Sequence, residues 1–203
     1  MDKKPVKLAR NLPNVTRIMA YYKPEGEIAT RRDPQGRATV YAGLPVLRRG
    51  KWIAIGRLDI NSSGLLLFTT DGELANGLLH PSTGMEREYA VRVRGRASKE
   101  QLNNLLTGVR LEDGDARFTS IADAGGSGVN HWYHVVILEG RNREVRRLWQ
   151  SQGLEVSRLI RVRFGPYALP RRKRPGQFWD LTKNEINKLC TAVGYSEKLK
   201  AKS

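Results

Sequence analysis

The residues best suited to chemistry lie in the segment GRLDINSSGLLL, residues 56–67, which places Asp59 between Arg57 and a polar turn that ends in Gly64. The apolar run at residues 65–68 then predicts a buried strand. A carboxylate held on a tight turn beside a guanidinium stays ionised and keeps one orientation, as a nucleophilic carboxylate must. Asp, Asn, Ser and Gly are also ordinary turn residues. On its own, the segment therefore fits either a catalytic acid or a simple turn.

Four further segments accompany this one in a fixed order along the chain. They are YYKPEGEIAT at residues 21–30, TTDGELANGLLHPS at 69–82, EREYAVRV at 86–93 and EGRNREVRRLW at 139–149. Together with GRLD and GLLL they resemble the motifs of the RNA pseudouridine synthases, in the branch that modifies single sites in ribosomal RNA. The resemblance covers residues 17–189, which is most of the chain. It implies an enzyme that isomerises uridine to pseudouridine.

That reaction breaks the bond from the ribose to uracil N1 and remakes it to uracil C5. The base must first leave the stack, since a duplex hides both atoms. By resemblance Asp59 is the nucleophile, whose carboxylate would attack the anomeric carbon of the sugar or assist formation of a glycal; both routes remain open. No redox or hydrolytic step occurs, so we expect neither a metal ion nor an organic cofactor.

The resemblance assigns the other catalytic residues by their positions in the motifs. Arg146 matches the late arginine that pairs with the catalytic acid, and Tyr89 matches the tyrosine that stacks on the flipped uracil and takes part in proton transfer. Val145 stands where the family keeps an aliphatic residue against the uracil. The alternation of Tyr89 with Val91 and Val93 also fits an ordinary core tyrosine, and Val145 fits the core as well.

Five basic side chains are predicted to contact RNA or to support the site. Arg57 is expected to fill the gap left by the flipped base or to touch phosphates, with a salt bridge as the alternative. Lys23 is expected to support the site or touch RNA, or else to be a surface lysine. Arg141, Arg143 and Arg147 share the late motif and are predicted to be phosphate contacts or part of a solvated face.

The overall charge favours a nucleic-acid partner. Of 203 residues, 36 are Lys or Arg and 20 are Asp or Glu, which gives a net charge of +16. Such a surface attracts polyanions by releasing counterions. The basic residues recur in separate loops and strands rather than in one tail. Examples are Arg48, Arg49 and Lys51 in one loop, RRKR at 171–174 in another, and Arg158, Arg161 and Arg163 along a strand.

The elements that carry these motifs indicate an α+β fold. Strand patterns are interspersed with helices that begin at capping residues. The predicted caps are Asp71, Ser98 with Gln101, and Thr182 with Glu185. Because the strands do not form a regular βαβ repeat, we expect a largely antiparallel mixed sheet. The fold implied by the resemblance is such a sheet bent around a central catalytic cleft, with flanking helices. The segment at 124–130 is predicted to be a mobile hairpin tip.

The predicted organisation has three parts. Residues 1–14 form a basic stub or linker, residues 15–195 form one catalytic domain with two subdomains around a cleft, and residues 196–203 form a disordered tail. Relatives in this branch commonly carry a small RNA-binding domain ahead of the catalytic one, where here only the stub precedes it. We therefore expect either a catalytic-domain fragment or a naturally short member.

Other features narrow the cellular context. No stretch approaches the ~18 apolar residues of a membrane span, and the N-terminus lacks the apolar core of a signal peptide. A single cysteine, Cys190, rules out an internal disulfide. We expect a monomer in the reducing cytoplasm, with no membrane partner.

The expected function is site-specific isomerisation of uridine in ribosomal RNA, with large-subunit RNA as the first candidate substrate. One alternative is a catalytically silent RNA-binding or ribosome-assembly factor on the same fold. Another is a synthase for small-subunit ribosomal RNA, because the motifs discriminate poorly between these substrates. The combination of Asp59, Tyr89 and Arg146 argues against a silent factor, since a binding module has no need of that trio.

Overall fold

The computed structural model describes residues 16–195, so the predicted stub and tail lie outside the described residues. The strands are β1 (Ile18–Lys23), β2 (Ile53–Ile55), β3 (Ser63–Thr69), β4 (Arg87–Arg94), β5 (Val109–Leu111), β6 (Gly114–Ala116), β7 (Ser120–Ser127), β8 (Asn130–Ile137), β9 (Val156–Phe164), β10 (Tyr167–Ala168) and β11 (Phe178–Asp180). The helices are α1 (Gly72–Leu79), α2 (Lys99–Thr107), α3 (Glu144–Ser151) and α4 (Lys183–Ala192), with a 3₁₀ turn at Pro81–Thr83. Along residues 16–195, no helix reaches the length and apolarity that crossing a bilayer demands.

One nine-stranded sheet organises the described chain. Its main path runs β11-β1-β3-β9-β4-β8-β7, with β2 paired to β3 and β10 paired to β9, while β5 and β6 form a separate hairpin. The β3–β9 pair is parallel and the other pairs between these strands are antiparallel. The predicted α+β class with a largely antiparallel mixed sheet is therefore confirmed.

The centre of the sheet is buried on both faces. Leu66 and Phe68 of β3 pack into one apolar cluster, which continues through β4 and β8 to Trp149 of α3. Leu65 and Leu67 point the other way, into a second cluster that includes buried residues of α1 and α4. Since successive side chains of a strand point to opposite faces, a strand covered on both sides reads as a continuous apolar run. This explains the apolar run at residues 65–68, which follows the turn that carries Asp59.

The predicted helix starts are confirmed by their capping contacts. The Asp71 carboxylate accepts hydrogen bonds from the backbone N–H groups of Glu73 and Leu74 at the start of α1. Both predicted capping boxes are present, Ser98 with Gln101 at α2 and Thr182 with Glu185 at α4. Each cap contributes about 1 kcal/mol because it satisfies N–H groups that have no partner within the helix.

The hairpin predicted at residues 124–130 is present, but its extent was wrong. Strand β7 continues to Ser127, and only two residues connect it to β8. Gly126 makes this possible, because a Cβ atom there would stand 2.7 Å from the Cα of His131. A bulge between Asp123 and Gly126 accompanies this close approach. The glycines that suggested a loose loop instead allow tight strand pairing.

Candidate active site

The predicted catalytic turn lies between β2 and β3, at the edge of a cleft of about 820 Å³. This volume is in the range of sites that enclose a small molecule or a single base. The cleft is lined by, among others, Arg57, Asp59, Tyr89, Arg143, Val145 and Arg161. Segments from the GRLD motif, the tyrosine strand and the late arginine motif, which are far apart in sequence, thus meet in one place.

Lys23 fixes the turn that carries Asp59. Its side chain is fully buried, and its Nζ donates hydrogen bonds to the backbone oxygens of Pro24 (2.9 Å), Asp59 (3.1 Å) and Ser62 (2.8 Å). Burial lowers the pKa of Lys23 to about 8, against the opposing effect of the Glu27 and Asp59 charges. Lys23 is therefore not a surface lysine, and its contacts tie the end of β1 to both ends of the turn.

The two remaining carbonyl groups of the turn are also occupied. The backbone N–H of Gly26 donates to the oxygen of Ile60 at 2.8 Å. Arg146 Nη2 donates to the oxygen of Asn61 at 2.7 Å, and Arg146 Nη1 donates to the oxygen of Val156 at 2.9 Å. The lysine-proline-glycine strand and the late arginine motif thus hold the backbone of the turn from two directions, although they are remote in sequence.

The Asp59 carboxylate is half-buried and faces the cleft. Its backbone is fixed by a turn bond from Ser62 N to Asp59 O of 3.0 Å. Among residues 16–195, no group donates a hydrogen bond to its carboxylate and no ion pair joins it to Arg146. The sequence had suggested a direct fork between these two side chains. Instead, the Arg146 side chain holds the backbone of the turn. Burial lowers the pKa of Arg146, and the Asp59 charge opposes this effect through space.

Tyr89 and Val145 form an apolar part of the cleft wall. Tyr89 lies on β4 and Val145 on the first turn of α3, and both side chains are buried in the same apolar cluster. In the β4–β9 ladder, Tyr89 stands directly opposite Arg161. The sequence allowed these residues to be either core residues or part of the site. They belong to the core and also line the cleft.

Of the four remaining arginines predicted from the sequence, two form ion pairs within the protein and two do not. Arg141 contacts Glu144 and Asp113, and Arg147 forms a bidentate pair with the same Asp113, at 2.7 and 2.8 Å. These ion pairs hold α3 against the β5–β6 hairpin. Arg57 and Arg143 are exposed at the cleft and make no side-chain hydrogen bond or ion pair with other described residues.

Two further arginines line the cleft, and sequence reasoning did not single them out. Arg87 and Arg161 are 9% and 2% exposed, and neither forms an ion pair with an acid within residues 16–195. A signal for Arg87 was available, since it stands two positions before Tyr89 and thus on the same face of β4. The sequence marks Arg161 only as one of three basic residues along a later strand. Within residues 16–195, His, Cys, Asp and Glu side chains form no group of three or more that could hold a metal ion.

Comparisons with known proteins agree with this arrangement. The chain is 60% identical to ribosomal large subunit pseudouridine synthase B of Pseudomonas aeruginosa over 182 residues, which cover 89% of this chain and 47% of the relative. It is 57% identical to the protein of the same name from Yersinia pestis over 180 residues, which cover 89% of this chain and 57% of the relative. The chain thus spans about half the length of these curated relatives.

Solved structures share the fold. A crystal structure of a pseudouridylate synthase superposes with a TM-score of 0.75 at 25% identity, covering 86% of this chain and 74% of that one. A complex of Cbf5, Nop10 and Gar1 gives a TM-score of 0.52 at 17% identity, which shows a likeness of fold alone. The RNA pseudouridylate synthase family profile matches residues 17–151, from the start of β1 to the end of α3. The chain belongs to the RNA pseudouridylate synthase family.

Proposed function

We propose that this protein isomerises uridine to pseudouridine at a specific site in large-subunit ribosomal RNA. The observation that carries the proposal is the setting of Asp59. All four carbonyls of its turn accept hydrogen bonds, while its carboxylate faces a cleft that is also lined by Tyr89 and Val145. A fixed backbone with a free carboxylate suits a nucleophile better than a structural turn residue, whose carboxylate would be engaged locally.

In the proposed reaction, the target uridine leaves the stack and enters the cleft. Asp59 attacks the anomeric carbon or assists glycal formation, and the electron pair of the broken bond departs with uracil N1. The detached ring turns so that C5 bonds to the anomeric carbon. On the nucleophilic route the bond from Asp59 to that carbon breaks in the same step and returns its electron pair to the carboxylate, and on the glycal route the proton taken from C2′ is returned. The hydrogen on C5 then leaves as a proton and N1 gains one, so the reaction is a net isomerisation. Tyr89 supports the ring and takes part in proton transfer, and Val145 forms the facing wall.

RNA contact is proposed mainly for Arg57 and Arg143. Both guanidinium groups are exposed at the cleft without an acid partner among the described residues, so they are available to phosphates or bases. Arg141 and Arg147 already engage Asp113, which favours a structural role for them over a phosphate contact. Lys23 and Arg146 act on the turn from within the fold.

The choice of large-subunit RNA rests on the names of the most similar relatives, at 57–60% identity. No observation favours small-subunit RNA. A catalytically silent assembly factor would not require a carboxylate whose turn is fixed from two remote motifs. We further propose that the protein acts as a monomer in the cytoplasm, where ribosomal RNA is available. Sedimentation of the purified protein tests the first part of that statement.

The experiment that tests the function maps pseudouridine in unmodified large-subunit ribosomal RNA after incubation with the wild type or with Asp59→Asn. We expect one new pseudouridine with the wild type, none with the variant, and nearly equal RNA affinity for both. Small-subunit RNA is treated in parallel. Product there alone would reassign the substrate, and RNA binding without product on either RNA would support the silent factor.

A further inference from the structure

The cleft contains two buried arginine side chains that the reaction scheme above does not use. Arg161 Nε donates to the backbone oxygen of Leu65 at 2.7 Å, while its buried Nη2 has no hydrogen-bond partner among the described residues. Arg87 Nη1 donates to the backbone oxygens of Met85 (2.9 Å) and Leu138 (2.6 Å). Within residues 16–195, neither guanidinium has an acid within ion-pairing distance. Two positive charges are therefore buried without an ion pair, and the Glu144 charge acts on Arg87 only through space.

The fold holds these two cations next to each other and next to Tyr89. Arg161 stands directly opposite Tyr89 in the β4–β9 ladder, and Arg87 precedes Tyr89 by two residues on the same face of β4. Both guanidinium carbons lie over the ring of Phe164, at 5.4 Å for Arg87 and 5.5 Å for Arg161 from the ring centroid. Burial lowers the pKa of Arg87 and the neighbouring Arg161 charge lowers it further, while Tyr89 and Glu144 oppose these effects.

Burial of unpaired charge is costly in a folded protein and occurs where a site needs it. We propose that Arg161 and Arg87 form an anion site for the leaving uracil, which stabilises negative charge on a uracil oxygen when the N1–C1′ bond breaks. This inference rests on the proposed function. As that bond breaks, its electron pair passes to N1 and delocalises onto the ring oxygens. The charge disappears again when C5 bonds to the sugar and N1 takes up a proton.

The arrangement matches this task because the donors are fixed before the charge develops. Arg161 is held by the Leu65 oxygen and Arg87 by two carbonyls, so neither side chain has to reorganise during the reaction. Prearranged donors in a water-poor site are the most effective form of electrostatic stabilisation. The cations lie beside the ring that would stack on the uracil, and Asp59 lines the same cleft. The negative charge would thus develop between Tyr89 and this pair.

A backbone phosphate is the other anion that RNA could bring. It is disfavoured here because Arg87 and Arg161 are 9% and 2% exposed, whereas a phosphate stays at the surface of a strand that enters the cleft. Exposed arginines are already present for that purpose at the same cleft, in Arg57 and Arg143. The buried pair is therefore assigned to the base and the exposed pair to the backbone.

The test compares Arg161→Met, Arg161→Lys and Arg87→Met with the wild type in single-turnover reactions on two RNAs, one with uridine and one with 5-fluorouridine at the target. Fluorine at C5 stabilises the uracil anion, so the departing ring depends less on the protein. Loss of the intact target nucleoside reports cleavage of the N1–C1′ bond in both RNAs. Thermal unfolding verifies that each variant is folded, and Arg94→Met, which removes an exposed guanidinium paired with Glu155, serves as the control.

We expect Arg161→Met to lower the rate on uridine by about 10²–10³-fold, as loss of a prearranged donor does. Its RNA affinity should change by less than about threefold. On 5-fluorouridine the defect should shrink at least about tenfold, and Arg161→Lys should lie between wild type and Arg161→Met. Arg87→Met should show the same pattern. If Arg161→Met does not fold, Arg87→Met replaces it as the test variant.

Equal rate defects on the two RNAs would overturn the inference. A defect that appears in RNA affinity, with a weaker salt dependence, would assign the pair to a phosphate instead. A wild type that binds RNA and leaves both target nucleosides intact would contradict the proposed function itself. The two failures are therefore distinguishable in one experiment.

Discussion

Gly64 lies directly against the backbone of Arg161, at the point where β3 and β9 run parallel. A Cβ atom at position 64 would stand 2.6 Å from the Arg161 nitrogen and closer still to its carbonyl oxygen, and Gly64 has a φ of +106°. Arg161 in turn faces Tyr89 in the next ladder. One close backbone contact therefore sets the distance between the turn that carries Asp59 and the strand that carries Tyr89.

Gly64→Ala should separate β3 from β9 and misplace the turn that carries Asp59. We expect the free energy of unfolding to fall by about 3 kcal/mol, since the new methyl group meets backbone that cannot move aside and φ is unfavourable. The single-turnover rate should fall by more than ~10²-fold, because a shift of about 1 Å at a catalytic group has that effect. Chemical unfolding and single-turnover kinetics measure the two changes.

Gly153→Ala is the matched control for that change. Gly153 also has a positive φ, of +74°, but a Cβ atom there would meet nothing within 4 Å. This variant should lose only about 1 kcal/mol of stability from the backbone conformation and keep its rate. If the two alanine variants lost the same stability and rate, the contact with Arg161 would not be what positions the turn.

Lys23 should give the protein a pH-dependent stability in the alkaline range. Its pKa is about 8 in the folded protein and 10.5 as an ordinary lysine, so between these values the unfolded chain holds the extra proton. Raising the pH through this window therefore favours the folded state. Relative to Lys23→Met, the free energy of unfolding of the wild type should be constant below about pH 7 and rise from about pH 8 to 10.5.

Urea unfolding of both proteins between pH 7 and 10.5 measures this difference. Lys51→Met, at an exposed position in another loop, corrects for the loss of one lysine charge. Parallel curves for the wild type and Lys23→Met would show that Lys23 keeps an ordinary pKa despite its burial. A difference that fell with pH would mean that its three carbonyl contacts favour the charged form more than burial opposes it.

The sequence predicted local features well because their causes are local. The cap at Asp71, the two capping boxes and the buried strand after the Asp59 turn each depend on residues within a few positions of one another. Arg161 could not be recognised in this way, because its role depends on contacts with Leu65 and Tyr89, from which it is separated by 96 and 72 positions (161 − 65 and 161 − 89). Strand register between remote segments decides such contacts. The contact of Arg146 with the Asn61 backbone was missed for the same reason.

Arg146 should act through its two carbonyl contacts and not only through its charge. Its Nη1 and Nη2 reach the oxygens of Val156 and Asn61, whereas a lysine would have to reach both oxygens with one nitrogen and without the planar fork of a guanidinium. We expect Arg146→Lys to lower the single-turnover rate by about 10²-fold with little change in RNA affinity. Arg110→Lys, in an exposed ion pair with Asp115, is the matched control. A wild-type rate for Arg146→Lys would show that a positive charge alone is sufficient there.

Arg143 has an unfavourable backbone conformation at the edge of the cleft. It has a φ of +48° and is the one non-glycine residue with positive φ among residues 16–195. It precedes α3 as the N-cap and makes no side-chain capping bond. A left-handed conformation costs roughly 1–2 kcal/mol in a non-glycine residue and is kept where a site requires that side chain. Its exposed guanidinium at the cleft is the property that glycine would lack.

Arg143→Gly should therefore weaken RNA binding without weakening the fold. Relief of the backbone conformation offsets the greater freedom of glycine in the unfolded chain, so the midpoint of thermal unfolding should stay the same or rise. Affinity should fall, and the slope of log K against log salt concentration should decrease by about 0.7–0.9 if one phosphate contact is lost. Arg143→Asn, which tolerates the same φ but carries no charge, should behave alike in binding. If both variants kept the wild-type affinity and salt slope, the positive φ of Arg143 would only direct the chain into α3. The RNA contact at this edge of the cleft would then be assigned to Arg57.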